Sequence, residues 1–239
     1  MNKKNIYILP NLFTTANIVT GFYSMLLALK GNFVLAGWFI VLAFIFDSLD
    51  GTVARLTHSQ SKFGVEYDSL CDLVSFGVAP AFISYMWYLH FLDGFGIFLC
   101  IAYLLMGALR LARFNVQNKK NSFIGLPIPG AAMMVISAML LSINFNLHIF
   151  NGSLFVVLFI VVSFLMISNM RYKGLKHIKI DKMWKIIWPI SLFTVFLWKP
   201  YMALFFFSTI YVFLWPVIYM VDISKKKLVK RREKWEMEK

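Results

Sequence analysis

Asp47 and Asp50 stand three residues apart at the end of one long apolar run, and Asp68 and Asp72 stand four apart at the opening of the next. Of 11 Asp and Glu, five lie between residues 47 and 72, and Asp93 is the only other one before residue 180. An acid at the centre of a membrane span costs about 2.5 to 3.5 kcal/mol on insertion scales, so such acids face cavities and serve a purpose. On helices, spacings of three and four put each pair on one face. Oxygen donors without His or Cys favour hard cations such as Mg²⁺, Mn²⁺ or Ca²⁺, and four carboxylates suit two divalent ions better than one. Gly51 and Ala54 follow the first pair and Gly64 precedes the second, small residues that let a bulky anion approach the backbone. Arg55 and Lys62 add positive charge where a phosphate would lie. The competing reading is structural, with Asp47 or Asp50 paired to Arg55 and Asp68 or Asp72 capping a helix start.

The elements that must position these acids are membrane helices. The chain has 239 residues, 60% hydrophobic and 15% charged, with a mean hydropathy of +0.72. Apolar length, Gly/Pro punctuation and charge flanks predict spans near 10–29, 32–56, 68–90, 95–115, 127–145, 152–170, 183–198 and 200–222. The expected fold is therefore all-α, a polytopic bundle of about eight transmembrane helices over residues 1–222, with a basic tail at 223–239. Of the 24 Lys and Arg, only Lys30 and Lys199 fall on the far side of that layout, which predicts both termini and the acid cluster at the cytoplasmic face of the cell membrane. The first apolar segment lacks a small-residue cleavage site and reads as a retained span. The net charge of +13 follows from these loop flanks; no nucleic-acid-binding motif accompanies it, so nucleic acid is not an expected partner. The tail KKKLVKRREKWEMEK is suited to anionic headgroups or to solvent. Cys71 and Cys100 lack metal-like spacing and are expected to be reduced.

The run Asp47-x-x-Asp50-Gly51-x-x-Ala54-Arg55, then eight residues, then Gly64-x-x-x-Asp68-x-x-x-Asp72, resembles the complete signature of the CDP-alcohol phosphotransferase family, with all eight positions at the family's spacing. The resemblance implies an integral-membrane, homodimeric enzyme in which the hydroxyl of an alcohol attacks a CDP-linked lipid and releases CMP. It further implies that Asp47, Asp50 and Asp68 hold two divalent metals on the diphosphate, with Asp72 sharing a metal and acting as general base. Gly51, Ala54, Arg55 and Gly64 would line the CDP pocket, and Asn11 and Thr14 of the PNLFT entry to the first span are similar to the family's nucleotide contacts. Phosphoryl transfer demands charge neutralisation and in-line positioning more than covalent chemistry, in keeping with a site made of carboxylates. CDP-diacylglycerol is the simplest donor.

The signature does not name the acceptor. GALRLARFN carries Arg110 and Arg113 at i, i+3, and together with GLPIPGAA at 125–132 it resembles a branch of the family that accepts L-serine. A guanidinium grips a carboxylate in two-pronged fashion, which suits that acceptor. The same arginines could serve as positive-inside anchors, and glycerol-3-phosphate would use Arg and Lys as well. Inositol phosphate and choline acceptors stay open, the latter requiring an aromatic cage. Pro127 and Pro129 shape the entry to a helix. His58 is a lone loop histidine, expected to be solvated. Outside this family, a cation transporter would also bury carboxylates, and a noncatalytic scaffold would tolerate Asp-to-Asn changes at all four positions.

Overall fold

The structure is a computed structural model, and it describes residues 8–57, 59, 61–116, 123–145, 152–172, 199–214 and 216. The span expected at 183–198, the end of that expected at 200–222, the tail, His58, His148 and His177 lie outside the described residues.

Two long apolar runs form the first hairpin. Helix α1 (Ile8–Leu29) turns through Lys30-Gly31-Asn32 into α2 (Phe33–Leu56). Gly31 takes φ +74°, the left-handed geometry that glycine adopts without a Cβ penalty, and its N–H closes on Ala28 O at 2.9 Å. The Asn32 side chain accepts from Leu35 N and starts α2. So short a turn makes α1 and α2 antiparallel neighbours.

Helix α3 (Lys62–Asp72) continues through a π-helical turn (Leu73–Val78) into α4 (Ala79–Trp87), a single span of 26 residues from Lys62 to Trp87. This corrects the expected start at residue 68. Ser61 Oγ accepts Gly64 N at 2.9 Å, which nucleates a helix one and a half turns before the apolar run begins. Gly64 therefore lies within the first turn, and Asp68 and Asp72 are interior helix residues. The π turn loosens the ordinary ladder directly after Asp72. Tyr103 Oη donates to the Phe76 carbonyl at 3.1 Å, satisfying one of its acceptors.

A short 3₁₀ turn (Leu89–Leu92) leads into α5 (Asp93–Val116), then α6 (Ile128–Phe145), α7 (Ser153–Ile167) and α8 (Pro200–Leu214). Among the described residues, five helices are long and apolar enough to cross a membrane, α7 and α8 being shorter. The chain is an integral membrane protein with an all-helical core. One small departure from all-α is a two-residue antiparallel pair, β1 (Phe123–Ile124) with β2 (Arg171–Tyr172), in the register Phe123↔Tyr172 and Ile124↔Arg171.

Helix α6 is apolar all round, and every residue from Ala131 to Ser142 is buried, which makes it the centre of the bundle. Phe76, Tyr103, Phe155 and Phe159 pack with it in one core. Ser137 and Ser208 join α6 to α8 inside that core through a 2.8 Å hydroxyl contact, the kind of polar link that membrane helices use in place of a hydrophobic driving force. Outward, α1 shows Val19, Phe22 and Leu26 and α5 shows Ile97, Ile101 and Leu105, stripes at helical spacing suited to lipid.

Candidate active site

The site is built where the far end of α2 meets the beginning of α3, against the first half of α1. A polar face runs along α1 in an otherwise apolar sequence, with Asn11, Thr14 and Asn17 at successive spacings of three. Thr14 Oγ1 donates to Asp50 Oδ2 at 2.7 Å; its own Pro10 carbonyl is 3.1 Å away, and the single hydroxyl proton goes to the shorter contact with the carboxylate. Asn17 Nδ2 donates to Asp72 Oδ1 at 3.1 Å. One face of α1 thus holds one acid from α2 and one from α3.

The four aspartates come together, as the spacing argument requires. Ligating oxygens of Asp47, Asp50 and Asp68 lie within 4.8 Å of one another. Asp72, buried, stands beside Asp47 but outside that trio. Asp68 Oδ1 is buried without a hydrogen-bond partner. Three convergent carboxylates, one with an orphaned oxygen, form a hard, oxygen-only donor set that fits a divalent cation such as Mg²⁺ or Mn²⁺.

Both structural explanations for the acids fail on geometry. Arg55 donates from Nε to Gly51 O at 2.8 Å and from Nη2 to Thr52 Oγ1 at 3.4 Å, on its own helix, rather than pairing with Asp47 or Asp50. Ser61, rather than Asp68 or Asp72, caps α3. The carboxylates are gathered for something other than helix ends.

Beside the acids opens a cleft of about 330 Å³ lined by Asn11, Thr14, Asp50, Gly51, Ala54, Arg55, Gly64 and Asp68, with Pro10, Ser59, Ser61 and Val65. A Cβ on Gly51 would meet nothing within 4 Å, so the missing side chain leaves room that a ligand can fill. A Cβ on Gly64 would come within 3.1 Å of Ser61 Oγ and 3.6 Å of Asn11 Oδ1, so glycine brings α3 close to the start of α1. Lys62 is exposed on the first residue of α3, outside the cleft lining. Ser59, buried and bonded to Thr57 Oγ1 at 2.6 Å, and Ser61 line the cleft although their types gave no signal beyond a loop.

Arg110 and Arg113 have different surroundings. Arg110 is buried, its Cζ 5.4 Å from the centroid of the Phe114 ring, its Nε unpartnered, and Asp72 and Asp47 within electrostatic reach. Arg113 is committed elsewhere. Its Nη1 donates to Ile167 O and Asn169 Oδ1, and its Nη2 to Ile124 O and Ser168 O, at 3.2 to 3.4 Å. Arg113 therefore latches the end of α5 to the end of α7 and to β1. Asn115, within the same GALRLARFN segment, donates to Glu66 Oε2 and Ser69 Oγ, each at 3.1 Å, and ties α5 to α3.

A polytopic helical membrane protein with a carboxylate trio beside a cleft of about 330 Å³ defines a class. The chain belongs to the CDP-alcohol phosphatidyltransferase family, whose model matches residues 7–159. It is similar, at 40% identity over 212 residues, to the CDP-diacylglycerol–serine O-phosphatidyltransferase of Helicobacter pylori, covering 86% of this chain and 88% of that one. Proteins with the same description from Methanocaldococcus jannaschii (39% over 201 residues, 84% and 89% covered) and Bacillus subtilis (34% over 169 residues, 70% and 91% covered) are similar over most of their length too.

Proposed function

We propose that this protein transfers the phosphatidyl group of CDP-diacylglycerol to the hydroxyl of L-serine, giving phosphatidylserine and CMP. The observation that carries the acceptor is the similarity to serine transferases along most of the chain, joined to a buried guanidinium with an unpartnered Nε within electrostatic reach of the acid cluster.

In this reading the cleft between α1, α2 and α3 receives the cytidine and diphosphate. Asn11 and Thr14 contact the nucleotide, Gly51, Ala54 and Gly64 allow close approach, and Arg55 and Lys62 supply positive charge at its edge. Asp47, Asp50 and Asp68, with Asp72 alongside, would hold two divalent cations, whose contribution when bound is neutralisation of charge on the diphosphate oxygens. Asp72 accepts the serine hydroxyl proton. The freed oxygen forms a bond to the phosphorus that carries diacylglycerol, the bond from that phosphorus to the bridging oxygen breaks, and CMP leaves with the electron pair. Arg110 holds the serine carboxylate and so aims the hydroxyl at the phosphorus, the near-attack placement on which transfer depends.

Residues 1–222 act as the catalytic membrane domain and 223–239 as a basic tail in the cytoplasm, with both termini and the active site on that face of the cell membrane. Two copies form the working unit. The reading is tested with purified protein, CDP-diacylglycerol and labelled serine, glycerol-3-phosphate, inositol phosphate or choline. Serine-dependent CMP release is expected, abolished by EDTA and restored by Mn²⁺ or Mg²⁺. Consumption of glycerol-3-phosphate alone would remove the serine assignment, and turnover indifferent to EDTA would remove the cations.

A further inference from the structure

We infer that Asn17 is a positioning residue that orients Asp72 among the four carboxylates, so that Asp72, sharing a cation with the others, presents its remaining oxygen to the reacting hydroxyl. The inference rests on the proposed transfer reaction and adds a residue that the acid signature does not contain.

Four aspartates of identical chemistry share one site, yet only Asp47, Asp50 and Asp68 bring their oxygens within 4.8 Å of one another. Asp72 lies within hydrogen-bond reach of the Asp47 side chain, and from α1 it receives the Asn17 amide, 3.1 Å from its Oδ1. Asn17 is fully buried in α1. A carboxylate can only accept, so the amide must present its N–H₂ and turn its carbonyl oxygen away. That oxygen, Asn17 Oδ1, is buried without any partner. Leaving an acceptor unpaired in a buried position is costly, and an apolar side chain would avoid the cost. The bond to Asp72 is what the amide provides in return.

The backbone around Asn17 is tied to the same place. Its carbonyl accepts from Ser75 Oγ at 3.0 Å, inside the π turn that begins directly after Asp72. One helical turn along α1, a Cβ on Gly21 would overlap Ser75, so glycine permits the two helices to close at this point. Side chain and main chain of Asn17 therefore grip the segment carrying Asp72 from two sides. A neutral donor also orients the carboxylate without adding a second cation beside Arg110, which already lies within electrostatic reach of Asp72.

The test uses the full-length enzyme in detergent with two variants, Asn17→Ala and the volume-conserving Asn17→Leu. For each, kcat, the KM for CDP-diacylglycerol and for serine, and Mn²⁺ affinity by calorimetry in the presence of CMP are measured beside a thermal melt. Loss of the donor is expected to lower kcat by about 10- to 100-fold, the range for groups that orient site residues, with both KM values and Mn²⁺ affinity within about threefold of wild type. The inference is overturned if Mn²⁺ affinity falls in parallel with kcat, because Asn17 then supports ligation. It is overturned equally if the serine KM alone rises, which makes Asn17 a substrate contact, or if Asn17→Leu keeps full kcat, which makes it packing. Wild-type protein that ignores serine but consumes another alcohol sinks the acceptor assignment only, and the same ratios are then read with that alcohol.

Discussion

Asp72→Asn is expected to lower kcat by about 10² to 10⁴-fold, the usual worth of a positioned proton acceptor, while CDP-diacylglycerol and Mn²⁺ still bind. Asp50→Asn is expected to lose both turnover and donor binding. The difference follows from where the two carboxylates sit. Asp50 belongs to the trio whose oxygens converge within 4.8 Å, lines the cleft, and takes the Thr14 hydroxyl at 2.7 Å. Removing its charge takes away a ligand that the cleft needs before any substrate can be held. Asp72 lies outside that trio, buried, with one oxygen bonded to Asn17. An asparagine there keeps the volume but cannot take a proton from a hydroxyl. Equilibrium binding of labelled CDP-diacylglycerol with Mn²⁺, measured beside single-turnover rates, separates the two effects. Equal losses of binding from both variants would make Asp72 a ligand like the others.

The acid cluster was legible because charge inside a membrane span is expensive and therefore conspicuous, and helical spacing already placed each pair on one face. Its neighbours were harder to read for identifiable reasons. The start of α3 lies in KFGVEY, a segment too polar to register as a span, and only the local bond from Gly64 N to Ser61 Oγ places the helix end there. The π turn after Asp72 is written in LVSFGV, an apolar run that reads the same in α or π geometry; what distinguishes it is its set of partners on α1 and α5, far away in sequence. Asn17 carried a signal that went unused, since Asn11, Thr14 and Asn17 repeat every three residues along an apolar helix. An uncharged amide is cheap enough in a membrane helix to pass as packing, whereas an aspartate is not. Arg110 and Arg113 are alike in type and spacing, so sequence treats them as a pair. The oxygens that engage Arg113 include three from 54 to 56 residues away, at the end of α7 and just beyond it, a meeting that only the folded chain brings about.

That separation sets up the second large effect, at the acceptor. Arg110→Lys is expected to raise the KM for serine by about 10- to 100-fold, because a hydrogen bond to a charged group contributes about 1.5 to 3 kcal/mol and each 1.4 kcal/mol is tenfold. Lysine keeps the charge facing Asp72 and Asp47, so the carboxylates stay compensated, but it lacks the planar fork that grips a carboxylate at two points. The KM for CDP-diacylglycerol should stay near wild type, since Arg110 is not among the residues lining the cleft. Arg113→Ala makes the informative contrast. Its four acceptors lie on β1 and on residues 167–169, so its loss is expected to lower the melting temperature and to leave the serine KM within about twofold. Initial-rate kinetics over a range of serine concentrations, with thermal melts of the same preparations, read both outcomes. If Arg113→Ala raises the serine KM and Arg110→Lys does not, the carboxylate is held at the end of α5 by Arg113, and the buried Arg110 serves only to balance the aspartates.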